Sequence, residues 1–108
     1  MRTWMLGLST SILLCSFPTS ALAMGCEAWG RLDPAGKSAT VRQMIDARVN
    51  GEAPKKYNIP KPKIERCLLG HEQNIIYSFD DVCSDPSTGG MGAIEKRLTD
   101  WVMTCVNS

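Results

Sequence analysis

The sequence lacks most of what catalysis, metal binding and membrane residence require. There is one histidine in 108 residues, so His71 has no second imidazole with which to build a metal site. No Cys-x-x-Cys pair occurs, which removes the usual redox arrangement. The formal net charge is +1, and a chain so near neutrality has no overall field to draw in nucleic acid or an anionic membrane. Met5 to Phe17 is apolar and uncharged but shorter than the ~18 residues of a membrane span, and no later stretch reaches that length.

Catalytic constellations are missing as well. Ser78 lies seven positions beyond His71, roughly 10 Å along a helix axis and out of hydrogen-bond reach, and no Gly-x-Ser-x-Gly turn is present. Gly36-Lys37-Ser38 has the tail of a phosphate-binding loop, but Arg31 stands where its first glycine belongs. Asp80 and Asp81 are adjacent, point about 100° apart on a helix and cannot flank one bond; they read as solvated helix-end charges. The expectation is therefore a protein that is not an enzyme and uses no cofactor or metal.

What is present first is an export leader. Arg2 supplies a positive start, Met5–Phe17 the apolar core and Ala21-Leu22-Ala23 a small-x-small cleavage site. Plain secretion is favoured over a lipid anchor, because Leu14 before Cys15 and Met24 near Cys26 suit lipid attachment poorly. The mature chain would run from Met24 to Ser108 as one small domain, periplasmic or secreted. Loss of Arg2 leaves 11 basic against 11 acidic side chains. Loss of Cys15 leaves Cys26, Cys67, Cys83 and Cys105, an even set that in an exported chain implies two disulfides.

Apolar periodicity predicts a small all-α domain of about three helices. The first is capped by Asp33, opens on Pro34 and carries Val41, Met44, Ile45 and Val49 before Gly51. Cys26 and Trp29, three apart, share a face if a short leading turn forms. Glu52–Lys63 is expected as an irregular connector broken by Pro54, Pro60 and Pro62. The second helix is expected from about Leu68 to Cys83, with Leu68, Ile75, Ile76, Phe79 and Val82 as its apolar stripe and Gly70 weakening its first turn. Ser84–Gly92 reads as a turn. The third helix starts near Met91 and carries Ile94, Leu98, Trp101, Val102 and Cys105.

This plan selects a disulfide pairing. On one continuous helix Cys67 and Cys83 would lie ~24 Å apart, far beyond the ~7 Å that a disulfide spans. In an antiparallel hairpin of the last two helices, Cys67 falls opposite Cys105, which leaves Cys26 for Cys83. Trp29 and Trp101 then read as core residues packed around the bridges, and His71 as a surface residue at a helix start.

The connector holds the candidate contact residues, Lys55, Lys56, Lys61 and Lys63 grouped around Tyr57. As a site they would meet an anionic partner, either a cell-wall polymer or an acidic protein face, on a loop held by rigid elements. A solvated loop kept soluble by its lysines is the simpler reading of the same run.

Cys26 with Trp29, Cys67 before the Ile75-Ile76 helix, Cys83 after Asp80-Asp81 and a last helix closing on Cys105 together resemble a broad group of small exported helical bacterial proteins. That group includes acid-stress chaperones of the HdeA type, periplasmic immunity proteins and the killing or accessory proteins of conjugative plasmids. The resemblance implies an all-α fold and an action through partners. The leading expectation is a non-enzymatic periplasmic binding or accessory protein with a protein or cell-envelope partner. A host-killing or conjugation-associated factor of a mobile element is the alternative, and an acid-stress chaperone the second.

Overall fold

Residues 25–85 and 92–108 are described by the structure, a computed structural model. The expected leader Met1–Ala23 and most of the Ser84–Gly92 turn lie outside them. A leading turn forms as α1 (Cys26–Gly30), which buries Trp29. The long helix α2 (Pro34–Val49) starts as its residues dictate: the Asp33 carboxylate accepts the Gly36 N–H at 2.7 Å, and Pro34 occupies the first turn, where its missing N–H leaves no bond unmade. Its expected stripe of Val41, Met44, Ile45 and Val49 is buried.

The connector departs from the sequence reading. It contains α3 (Ala53–Lys56), and the next helix, α4 (Lys61–Gly70), begins within it. Pro54 and Pro62 sit in first turns and Pro60 at an N-cap, so these prolines start helices instead of breaking them. Between α3 and α4 the backbone turns at Asn58, whose φ of 54° lies in the left-handed region that asparagine tolerates. The Ile59 N–H returns to the Pro54 carbonyl at 3.0 Å, and the Ile59 side chain is buried. The connector is thus a closed turn anchored in the core.

A second departure concerns the expected Leu68–Cys83 helix, which is two helices. α4 ends at Gly70, and α5 (Glu72–Ser84) begins beyond His71, whose backbone (φ −105°, ψ 17°) belongs to neither. The His71 N–H turns back to Leu68 O at 3.0 Å, a tight turn made where glycine offers least resistance to leaving the helix. The last helix, α6 (Ala93–Val106), follows Gly92, whose φ of 94° suits only glycine. No strand occurs among the described residues.

Four helices close a ring: α2 packs on α4, α4 on α6, α6 on α5, and α5 on α2, with α1 against α5 and α3 against α2. Inside lie Val41, Ile45, Ile64, Leu68, Ile75 and Phe79, with Ile94, Leu98 and Val102 from α6. Both expected disulfides are present. Cys26–Cys83 joins α1 to α5, and Cys67–Cys105 joins α4 to α6. The reason Cys67 and Cys83 do not pair is altered, since they stand on different helices. Trp29 is buried, with its ring edge-on to Phe79 at 5.2 Å and 76°; Trp101 is half-buried.

Among the ring helices, α2 alone carries no cysteine, and polar links supplement its core packing. Lys37 reaches Asp80 at 2.8 Å, Arg42 reaches Glu72 at 2.7 Å, and Ser38 donates to Glu72. At its far end Arg48 reaches Glu95 at 2.9 Å and Thr99 at 3.2 Å. Asp80 is therefore not the solvated charge expected from sequence, because its Oδ1 also accepts the Trp29 Nε1–H at 2.8 Å. Its partners lie 43 and 51 residues away, beyond anything local spacing reveals.

These links make the α2–α5 seam sensitive to acid. Hydrogen bonds from Ser38 and Arg42 hold the Glu72 carboxyl below the ordinary glutamate range. At Asp80 burial opposes the charge, but the hydrogen bonds from Lys37 and Trp29, with the Lys37 charge, outweigh it and leave the carboxyl below the ordinary aspartate range. Groups whose folded pKa is depressed add stability that is complete above their unfolded values, 4.5 and 3.8, and that disappears as pH falls through the folded ones. Thermal melting from about pH 6 down to about pH 2 should therefore show a steeper loss for the native protein than for Glu72→Gln/Asp80→Asn. Parallel curves would show that the two carboxylates add nothing to acid sensitivity.

Candidate functional site

The expected contact residues begin on α3. Lys55 and Lys56 are exposed, and Tyr57 is half-buried against the core with the Lys56 Nζ 5.4 Å from its ring centre. Lys61 and Lys63 are exposed in the first turn of α4; Lys61 donates to Asn50 Oδ1 at the C-terminus of α2. Arg66 follows Lys63 by three residues and is also exposed, which places it on the same face of α4. The sequence reading stopped the connector at Lys63 and missed Arg66, although the spacing of the two residues was available to find it.

The rim gathers most of the cations that no ion pair uses. Among the described residues the ion pairs use Arg31, Lys37, Arg42 and Arg48. None of Lys55, Lys56, Lys61, Lys63 and Arg66 pairs with a carboxylate. Only Glu52 and Glu65 are acidic between Glu52 and Arg66. Of the seven lysines and arginines outside ion pairs among the described residues, five stand on this short stretch and the other two, Lys96 and Arg97, on α6, a clustering that the whole-chain charge of +1 conceals.

Beside the rim lies a groove of about 230 Å³ between α2, α3 and α6. Ala47, Ala53, Tyr57 and Val102 supply its apolar lining; Arg48, Glu52, Lys56 and Thr99 supply polar edges. Arg48 is held there by Glu95 and Thr99. A groove of about 270 Å³ on the α2–α5 seam includes Ile76 and the exposed Tyr77. Its charged members Lys37 and Asp80 already satisfy each other, so it offers no unmet charge.

Other chemistry is accounted for locally. The Ser78 hydroxyl donates to the Ile75 carbonyl at 2.9 Å and accepts the Trp101 Nε1–H at 3.0 Å. The His71 ring, in the turn between α4 and α5, lies 5.2 Å from the Trp101 ring on α6. Among the described residues no three His, Cys, Asp or Glu side chains cluster to hold a metal ion, and no helix is long and apolar enough to cross a membrane. No family model, curated protein or solved structure matches the chain.

Proposed function

We propose that this chain is a non-enzymatic binding protein of the bacterial cell envelope, exported to the periplasm or beyond, that engages an anionic partner through the α3–α4 rim. The observation that carries the reading is that five of the seven cations outside every ion pair among the described residues, Lys55, Lys56, Lys61, Lys63 and Arg66, stand on this one stretch. Surface charge steers encounter and sets register. Cations already matched within the fold add little to either. A rim mounted on a closed turn and a disulfide-anchored helix also loses little order on binding.

The test is charge reversal. Lys55→Glu/Lys56→Glu/Lys61→Glu/Lys63→Glu alters only exposed positions, so helicity should be retained. Binding to a poly-glutamate surface should weaken by roughly 30-fold or more, from four exposed pairs at ~0.5 kcal/mol each, and native binding should weaken with added salt. Equal binding by the two proteins would eliminate the rim as the contact site.

The acid-stress chaperone is the second reading, favoured by one observation: α2 lacks a disulfide, and its salt links to α5 depend on Glu72 and Asp80. Its prediction is that the oxidised protein keeps an unfolded client soluble at about pH 2–3, and client aggregation at the uncatalysed rate would remove it.

A further inference from the structure

The groove beside the rim bears on what kind of anion the partner carries. At about 230 Å³ it is below the ~300–1,000 Å³ of pockets that enclose whole small molecules, yet it has room for one side chain. Its lining is apolar on three elements: Ala47 from α2, Ala53 and Tyr57 around α3, and Val102 from α6. Its walls are fixed. Arg48 is tied to Glu95 and Thr99, and the α3 turn is closed by Tyr57 N–H to Ala53 O at 3.0 Å and Ile59 N–H to Pro54 O at 3.0 Å. Lys56 belongs to both features, lining the groove and standing in the rim.

A polyanion that offers only charge, such as a sulfated or phosphorylated sugar polymer, would use the lysines and leave this groove empty. An acidic peptide can use both, because carboxylates and an apolar side chain alternate along one backbone. We propose that the groove receives a single apolar side chain of an acidic peptide segment whose carboxylates lie on Lys55, Lys56 and the neighbouring cations. This deepens the rim reading and rests on it. The apolar side chain fixes register while the carboxylates supply attraction, the usual division between a buried anchor and a charged surround.

The experiment uses the oxidised protein and three probes: an oligo-glutamate, the same oligomer with one central Leu, and the same with Ala in place of Leu. The Leu probe should bind about tenfold more tightly than the Ala probe, as expected for partial burial of a leucine side chain. Ala47 is exposed and lines the groove, so Ala47→Phe would fill it from outside the core, and Ala47→Ser would leave it open. Ala47→Phe should abolish the Leu preference while oligo-glutamate binding stays unchanged; Ala47→Ser should keep both.

Equal affinity of the native protein for the Leu and Ala probes would overturn the groove assignment and leave the rim reading standing. So would a Leu preference that survives in a folded Ala47→Phe protein, because the leucine would then be seated elsewhere. Failure of the native protein to bind oligo-glutamate at all would overturn the rim reading itself. Dextran sulfate binding more tightly than every peptide probe, with no Leu preference, would assign the rim to a sugar polymer instead of a peptide.

Discussion

Reduction of both disulfides is expected to unfold the domain at about 37 °C, as is common for small disulfide-bonded folds that lose their bridges. The bridges close separations of 57 and 38 residues, and by the chain-entropy relation each restricts the unfolded chain by about 4 kcal/mol. A domain of this size has a total stability of only ~5–10 kcal/mol, so the pair accounts for most of it. Cys67→Ala/Cys105→Ala, which leaves Cys26–Cys83 in place, should lower the melting temperature by roughly 15–30 °C. Circular dichroism with and without a strong reductant provides the measurement. A melting temperature unchanged on full reduction would mean that the helical ring is self-sufficient.

The two bridges differ in what they release. Cys67–Cys105 joins two ring helices directly, whereas Cys26–Cys83 holds the five-residue α1 and with it Trp29. The loop lengths give nearly equal entropic terms, because the dependence on length is logarithmic. Any large difference between the two double-alanine variants must therefore arise in the folded state. Loss of Cys26–Cys83 leaves Trp29 to be retained by Phe79, Asp80 and packing alone.

The parts of this fold that were legible in the sequence are those whose signals are local. Asp33-Pro34 with Val41, Met44, Ile45 and Val49 announces α2, and Ile94, Leu98 and Val102 announce α6. The disulfide pairing was legible from helix length, which kept Cys67 from Cys83, and from an antiparallel hairpin, which set Cys67 opposite Cys105. The pairing is present, but Cys67 and Cys83 are kept apart by standing on two different helices. Proline misled the reading of Glu52–Lys63, since the same residue that breaks a helix interior suits a helix start. Which role Pro54 and Pro62 play depends on whether Ile59 and Ile64 can reach a core, and that core is assembled by α2 and α6. The candidate rim was visible as a lysine run, but its isolation from carboxylates was not. That property depends on where Glu72, Asp80 and Glu95 spend their charge, and these pair with Arg42, Lys37 and Arg48 across 30 to 47 residues.

Phe79→Ala should be the most damaging single side-chain truncation on α5, with a loss of about 3–5 kcal/mol. Phe79 is fully buried and meets the Trp29 ring edge-on at 5.2 Å, so truncation removes both the burial of a large side chain and an aromatic pair of about 0.5–1.5 kcal/mol. The surrounding walls cannot collapse freely to fill the space, because α5 is fixed at Cys83 and Trp29 is held by its bond to Asp80. Tyr77, two residues earlier and 64% exposed, is the control: Tyr77→Ala should shift stability by no more than about 0.5 kcal/mol. Urea unfolding of the two variants, followed by Trp fluorescence, separates the cases. Phe79→Ala should also change native-state emission, because Trp29 loses its aromatic neighbour, while Tyr77→Ala should not. Equal losses from the two substitutions would contradict an α5 that faces the ring interior through Ile75 and Phe79.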